Sequence, residues 1–284
     1  MDVMSQDQNP YSSSYIHGTA AEEQRRLAKL NDLINEASLK ELALRSGKNV
    51  LDVGSGLGQF ARLLARTAGR GARTLAIERD EQQLTEALRL ARDEGEEGLV
   101  DFRRGDAMAL PLRDDEWGTF DVAHARFVLE HVTHPLAVVT NMVRAVKPGG
   151  RVVLEDDDHD VLRLWPEPPG VRQVWEAYVR TYDRLGNDQF IGRRLVSLLH
   201  EAGAVPQRNT WIFFGGCQGH PAFTALALNM IKILEGARDT VLAQSFLNAE
   251  YFDAGIQALQ AWRQRPEAAL WYAISWAEGV RPPT

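Results

Sequence analysis

A short apolar run leads into a glycine-rich turn in the first third of the chain. Residues 50–53 have the length and character of a buried strand, and glycines follow at every second position over residues 54–58. An amphipathic helix begins directly after the turn. Such a junction exposes backbone N–H groups at a helix N-terminus, and its glycines let a ligand approach the chain closely. The residues therefore predict a nucleotide-type cofactor pocket.

Carboxylates near this turn indicate which kind of cofactor it binds. A dinucleotide fingerprint requires a third glycine where this chain has Gln59. A cofactor without phosphate instead needs a carboxylate for its ribose and another near any positive charge. Asp52 lies near the end of the first strand, and Glu78 ends the next predicted strand, where a carboxylate can accept both ribose hydroxyls. The predicted contacts on this part of the cofactor are Gly54, Ser55, Gly56, Glu78 and Arg79.

Three segments carry a family resemblance. The segment D-V-G-S-G-L-G at residues 52–58 resembles the first motif of the class I S-adenosylmethionine-dependent methyltransferases. The segments F-V-L-E-H-V at 127–132 and K-P-G-G at 147–150 resemble the ubiquinone/menaquinone-biosynthesis type. The resemblance covers residues 11–155 well and the remainder only as architecture. It implies S-adenosyl-L-methionine as the cofactor and a small molecule as the methyl acceptor.

The resemblance also implies roles for residues outside the turn. Asp106 would accept a hydrogen bond from the adenine amino group, and the backbone N–H of Ala107 would donate to the ring. Tyr15 and Arg26, in a segment similar to the N-terminal lid of some relatives, would close over the methionyl end. Arg126 follows the fourth predicted strand, at the sheet edge where ligands bind, so it is expected to contact cofactor or substrate.

Strand and helix signals alternate along the chain, which favours an α/β fold. The resemblance implies a Rossmann-like, seven-stranded, mostly parallel sheet in the order 3-2-1-4-5-7-6, with an antiparallel last strand and helices on both faces. Residues 1–45 are predicted to form lid helices, and residues 46–216 with 267–284 the cofactor-binding core. A helical insert at residues 217–266 would cap the pocket or form a contact within a homodimer.

An acidic run follows the fifth predicted strand, and histidines lie close to the same sheet edge. A base is needed only if the acceptor is an alcohol, phenol, amine cation or acidic carbon. The candidate bases are His131, Asp158 and His159. No metal site is predicted, because the run of Asp and His lacks a convincing ligand spacing. The residues leave open whether oxygen, nitrogen or carbon is methylated.

The composition limits the class of protein. The chain has 284 residues, 44% of them hydrophobic, so it can bury a sizeable core. The formal net charge of −7 argues against nonspecific nucleic-acid binding. The single cysteine excludes a disulfide framework within the chain. No signal peptide and no run of 18 apolar residues is visible, so a cytoplasmic protein without a membrane span is expected.

Three alternatives stay open at this point. A descendant that binds the same cofactor without transferring its methyl group would have an identical pocket. An NAD-dependent oxidoreductase shares the first turn and Glu78, but it would want glycine at position 59 and a proton-relay residue. A methyltransferase for macromolecules is disfavoured by the acidic charge and by the aromatic-rich second half of the chain.

Overall fold

The computed structural model describes residues 21–283, except the side chains of residues 21–30, 33, 183–185 and 221. In this part of the chain, eight strands form one sheet with helices on both faces. The strands are β1 (Val50–Val53), β2 (Thr74–Glu78), β3 (Asp101–Arg104), β4 (Phe120–Arg126), β5 (Val146–Asp157), β6 (Arg163–Trp165), β7 (Val205–Cys217) and β8 (Ala269–Val280). The α-helices are α1 (Ala21–Leu42), α2 (Gln59–Ala68), α3 (Glu81–Asp93), α4 (Pro135–Ala145), α5 (Val171–Val179), α6 (Leu195–Glu201), α7 (Pro221–Ala243) and α8 (Ala249–Trp262). Short 3₁₀ helices lie at Leu129–His131, His159–Val161, Arg180–Leu185 and Ile191–Arg194.

The sheet has the predicted topology. Its order is β3-β2-β1-β4-β5-β8-β6. Strands β5 and β6 pair with one edge of β8, and β7 pairs with the opposite edge. Strands β1 to β5 are parallel, whereas β8 runs antiparallel to β5, β6 and β7. When the three-residue β6 is left out, β8 and β7 take the places of strands 7 and 6. The order is then the 3-2-1-4-5-7-6 arrangement expected from the sequence. The carboxyl ends of β1, β2, β4 and β5 therefore meet along one edge, which we call the carboxyl rim.

Several strands are longer than their sequence pattern predicts. The apolar pattern predicts strands only at 210–214 and 270–276, but the ladder between β7 and β8 runs from Val205 opposite Val280 to Cys217 opposite Ala269. The pattern predicts the fourth strand over 120–124, and β4 continues to Arg126. In both cases, pairing with a long neighbouring strand lengthens the strand. The residue pattern of one strand alone does not show which strand will pair with it.

Side-chain alternation divides the core between the two faces of the sheet. Val50 of β1 belongs to a buried cluster that includes residues of α1, α2, α5, α7 and α8. Its neighbour Leu51 belongs to a second cluster that includes residues of α4 and α6. Because alternate residues of a strand point to opposite faces, the polar residues Asp52 and His124 lie on the α1 side.

Local capping fixes the helix that follows β2. The Asp80 carboxylate accepts hydrogen bonds from the backbone N–H groups of Gln82 and Gln83, at 2.8 and 2.9 Å. Asp80 is therefore the N-cap of α3, with Gln83 at the third helical position. The cap places the start of α3 immediately after Glu78, at the carboxyl rim.

Helices α7 and α8 pack into the same core as the central strands. Phe223 of α7 and Trp262 of α8 are both buried, with ring centroids 5.5 Å apart. Both residues belong to the cluster that contains Val50 and Val153 of the sheet. The helices are therefore part of the folded unit rather than a loosely attached appendage.

We expect Phe223→Ala to lower the free energy of unfolding by about 3–5 kcal/mol, because a fully buried ring leaves a cavity. Phe213→Ala is the matched control, since that ring on β7 is 59% exposed and its loss should cost only about 0.5 kcal/mol. Urea unfolding of both variants measures the difference. Equal, small effects would contradict the packing described for α7.

Candidate functional site

The glycine turn after β1 needs glycine for both conformation and space. Gly54, Gly56 and Gly58 have φ values of 73°, 54° and 70°, in the left-handed region. A Cβ at Gly54 would lie 2.4 Å from Val128 Cγ2. The backbone N–H groups of Gly54 and Ser55 both donate to the carbonyl of Ile77, at 2.8 and 3.0 Å. The turn is consequently locked against the end of β2.

Glu78 is held beside this turn by the backbone on both of its oxygens. Its Oε2 accepts from the N–H of Gly56 and its Oε1 from the N–H of Asp80, each at 2.8 Å. A carboxylate oxygen has two lone pairs, so each oxygen can accept one further hydrogen bond. The geometry thus presents a fixed, bidentate acceptor at the carboxyl rim, suited to two vicinal hydroxyls.

The loop after β3 brings Asp106 to the same edge. Gly105 N–H donates to the carbonyl of Glu78 at 3.0 Å, which links the two segments. Asp106 Oδ1 accepts from the N–H of Met108 at 2.8 Å and forms an Asx turn. Asn141 of α4 donates to the Met108 carbonyl at 2.9 Å and fixes the far side of the loop. Asp106 and Ala107 are therefore placed close to Glu78.

The remaining predicted cofactor residues have varied positions. Arg79 is exposed directly after Glu78. Tyr15 lies outside the described residues, and so does the side chain of Arg26. The guanidinium of Arg126 contacts α1: it donates to Asn35 Oδ1 at 2.6 Å and to Ser38 Oγ at 3.2 Å.

A buried polar network that the sequence analysis missed crosses three strands at the rim. The His124 ring on β4 lies between Asp52 of β1 and Glu155 of β5. Its nitrogens are 2.8 Å from Asp52 Oδ1 and 3.1 Å from Glu155 Oε1. Ser38 of α1 donates to Glu155 Oε2 at 2.6 Å. Burial disfavours charge on His124, but the bonds to the two carboxylates outweigh it and raise the pKa of the imidazole to about 9.

A second cluster forms where the segments after β4 and β5 meet. Glu130 Oε2 lies 3.3 Å from His159 Nε2, and Glu130, Asp157 and His159 converge so that one ligand-type atom from each lies within 4.8 Å of the others. Tyr272 Oη is 3.2 Å from His159 Nδ1, and Trp175 Nε1 donates to the His159 carbonyl at 2.9 Å. We call Glu130, Asp157 and His159 the rim triad.

Aromatic rings enclose the rim triad. Trp175, Tyr178 and Tyr182 lie with ring centroids 5.6, 5.9 and 5.2 Å from that of His159. Tyr178 and Tyr182 share a hydrogen bond of 3.0 Å between their hydroxyls. The three rings recur at helical spacing in the sequence, and the structure places them against the end of β5.

Desolvation controls the charges in the rim triad. Burial raises the pKa of Glu130 to about 8, and burial together with the charge of Glu130 raises the pKa of Asp157 to about 7. Burial lowers the pKa of His159. Each shift favours the uncharged form of the group.

The other two candidate bases have contrasting environments. His131 is 48% exposed, with Nε2 3.5 Å from Glu130 Oε1. Desolvation and the nearby charges of His159 and Arg79 lower its pKa. Asp158 instead accepts two hydrogen bonds from the Arg193 guanidinium, each of 2.7 Å. The structure therefore brings His131 and His159 together at Glu130 and directs Asp158 toward Arg193.

Residues 51–154 match the family described as "Methyltransferase domain". The chain therefore contains a methyltransferase domain. Its sheet order and glycine turn are those of the class I S-adenosylmethionine-dependent methyltransferase fold. The matched residues include Glu78, Asp106 and His131, whereas Asp157 and His159 lie beyond the match.

Curated relatives match about half of the chain. Demethylmenaquinone methyltransferase of Lactococcus lactis is 28% identical over 152 residues, which are 54% of this chain and 56% of the relative. The ubiquinone/menaquinone biosynthesis C-methyltransferase of Roseobacter denitrificans is 34% identical over 125 residues, 44% of this chain and 48% of the relative. The chain spans about half the length of the curated relatives it matches.

Solved methyltransferase structures share the fold over more of the chain. Phosphoethanolamine N-methyltransferase 2 of Haemonchus contortus, in complex with phosphomonomethylethanolamine and S-adenosylhomocysteine, has a TM-score of 0.54 and 19% identity, covering 87% of this chain and 52% of that one. Geranyl diphosphate C-methyltransferase of Streptomyces coelicolor, in complex with Mg²⁺, geranyl diphosphate and S-adenosylhomocysteine, has a TM-score of 0.54 and 14% identity. The likeness covers 96% of this chain and 89% of that one. At these identities the likeness shows the fold alone. Among residues 21–283, the structure has no helix with the length and apolar character needed to span a membrane.

The His124 network predicts a pH dependence of stability. A group whose pKa is raised on folding stabilises the fold fully below its unfolded value, near 6.5, and this stabilisation is lost as the pH rises through about 9. The contribution of His124 is then about 3 kcal/mol. Chemical denaturation from pH 6 to 10 should show this loss in the wild-type chain but not in His124→Gln. His134→Gln, at an exposed position, should follow the wild type. Parallel wild-type and His124→Gln profiles would argue against a charged His124.

Proposed function

We propose that the protein is an S-adenosylmethionine-dependent methyltransferase that acts on a small-molecule acceptor. The observation that carries the proposal is the Glu78 carboxylate, fixed by backbone N–H groups on both oxygens beside a glycine turn. This acceptor pair suits the ribose of an adenosyl cofactor. The named relatives and the matched domain support the same conclusion.

The residues at the rim fit this cofactor. A Cβ at Gly54 would collide with Val128, so this glycine is required for the close packing that fixes the turn. Ser55 Oγ is buried and, within the described residues, has no hydrogen-bond partner. Such an atom needs a polar partner, which a bound cofactor would provide. Asp106 and the backbone N–H of Ala107 would recognise adenine, and Arg79 would lie at the cofactor's edge.

When bound, the cofactor supplies a methyl group on a sulfonium, which is already a strong electrophile. The protein's main tasks are then to hold the acceptor in line at near-attack distance and to exclude water. The aromatic wall formed by Trp175, Tyr178 and Tyr182 suits both tasks. The family resemblance further implies that Tyr15 and Arg26 would contact the methionyl end of the cofactor and that the helices of residues 217–266 would cap the pocket.

We assign the base to His131 where the acceptor needs deprotonation. Its lowered pKa keeps the imidazole uncharged at neutral pH, so a nitrogen can accept a proton. It is also the more exposed of the two histidines at Glu130. Asp158 acts as a positioning residue, because its two bonds to Arg193 tie the segment after β5 to residues 191–194. The cytoplasmic location and the homodimer expected from the sequence stay predictions.

Cofactor binding is the first test. We expect Glu78→Ala and Asp106→Ala each to weaken S-adenosylmethionine binding about 10- to 100-fold, because each removes a charged hydrogen-bond acceptor. Isothermal titration calorimetry measures the affinities, and Glu81→Ala serves as an exposed carboxylate control on α3. Unchanged affinity in both variants, or wild-type binding of a nicotinamide dinucleotide instead, would overturn the proposal.

Turnover tests the base. A panel of small hydroxylated, amino and acidic-carbon compounds, assayed with methyl-labelled cofactor, identifies an acceptor. With an acceptor that carries an ionisable proton, His131→Gln should lower kcat about 100-fold or more and leave cofactor affinity unchanged. His134→Gln, three residues along and exposed, should keep the wild-type rate. A wild-type kcat in His131→Gln across pH 6–9 would exclude His131 as the base.

A further inference from the structure

The rim triad has the geometry of a metal site. One ligand-type atom from each of Glu130, Asp157 and His159 lies within 4.8 Å of the other two. Atoms that share one ion at about 2.1 Å lie roughly 3.0–4.2 Å apart, depending on the angle between them. The 3.3 Å separation of Glu130 Oε2 and His159 Nε2 falls in that range. A small movement of side chains would therefore complete a three-ligand site.

Unsatisfied polar atoms provide a second and independent observation. Within the described residues, Glu130 Oε2, Asp157 Oδ1 and His159 Nε2 are buried and have no hydrogen-bond partner. Glu130 is only 3% exposed and His159 only 5% exposed. Buried polar atoms are almost always partnered, and leaving one without a partner costs about 1–3 kcal/mol. Three such atoms on one cluster of side chains favour a ligand that accepts lone pairs from all three residues.

The surroundings of His159 support metal ligation by its Nε2. A histidine that binds a metal through one nitrogen usually donates its other N–H to an oxygen, which fixes the tautomer and the ring. Tyr272 Oη lies 3.2 Å from His159 Nδ1 and can accept that hydrogen bond. Trp175 restrains the same residue through the His159 carbonyl. The ring is thus oriented with Nε2 toward Glu130.

We propose that Glu130, Asp157 and His159 bind one divalent first-row transition-metal ion such as Mn²⁺, Fe²⁺ or Zn²⁺. Two carboxylates would balance the charge of the ion. The imidazole nitrogen favours these metals over Mg²⁺ and Ca²⁺, which prefer all-oxygen sites. Three protein ligands leave coordination positions for water or for an oxygen of a small molecule. The site goes beyond the proposed methyl transfer and does not depend on it.

Metal titration tests the site directly. The full chain is stripped with a chelator and titrated with Mn²⁺ and, separately, Zn²⁺ by calorimetry. We expect one ion per chain and a rise in Tm of a few degrees on binding. Glu130→Gln, Asp157→Asn and His159→Gln should each weaken binding at least tenfold. Glu176→Gln, which alters an exposed carboxylate on the neighbouring helix α5, should bind like the wild type.

Two results would overturn the proposal. One is a wild-type chain that binds neither ion stoichiometrically. The other is binding that survives in all three variants, which would place the ion on surface carboxylates. Circular dichroism of each stripped variant shows whether it is folded, and the absorption spectrum of the Co²⁺-loaded wild type reports nitrogen and oxygen ligation without any substitution. Cofactor affinity is measured separately, so failure of the metal site leaves the proposed methyltransferase function standing.

Discussion

His124 links two buried carboxylates across the three central strands of the sheet. Asp52 and Glu155 are both buried on the same face of the sheet, and the strand between them carries the imidazole that bonds to both. Two buried carboxylates repel each other and lose their hydration, so a cation between them removes two penalties at once. The bond from Ser38 to Glu155 extends the network to α1. The packing of that helix over the rim therefore depends on the same interaction.

Three successive acids at the end of β5 are accommodated in three different ways. Glu155 points to the α1 face and bonds to His124. Asp156 points to the opposite face, where its carboxylate accepts from the backbone N–H groups of Val128 and Leu129. Asp157 points back to the first face and joins the rim triad. The first two carboxylates have strong donors among the protein's own groups. The third has a side-chain hydrogen bond with Tyr272, but its Oδ1 has no partner among the described residues, and it faces a second carboxylate and a histidine whose burial lowers its pKa.

Local signals predicted the parts of the site that local chemistry determines. The glycine turn, the Asp80 cap and the strand that ends at Glu78 all follow from residues adjacent in sequence. The His124 network and the rim triad depend on which strands become neighbours, and no single stretch of sequence shows that. A polar residue in each of several apolar strands was the available signal, and it becomes informative only once the sheet order places those strands side by side. The direction of Arg126 toward α1 was likewise undetermined, because a strand end fixes where a side chain begins but not where it points.

The two halves of the carboxyl rim differ in how many of their buried polar atoms have hydrogen-bond partners. On the β1–β2 side, the backbone already holds both Glu78 oxygens and the glycine conformations, so a ligand there would meet groups that need no rearrangement. On the β4–β5 side, three buried polar atoms have no partner among the described residues. The β1–β2 half is largely pre-organised and leaves one such atom, Ser55 Oγ, for the cofactor, whereas the β4–β5 half brings three of them together. That contrast is the physical reason for assigning the first half to the proposed cofactor and the second half to an ion.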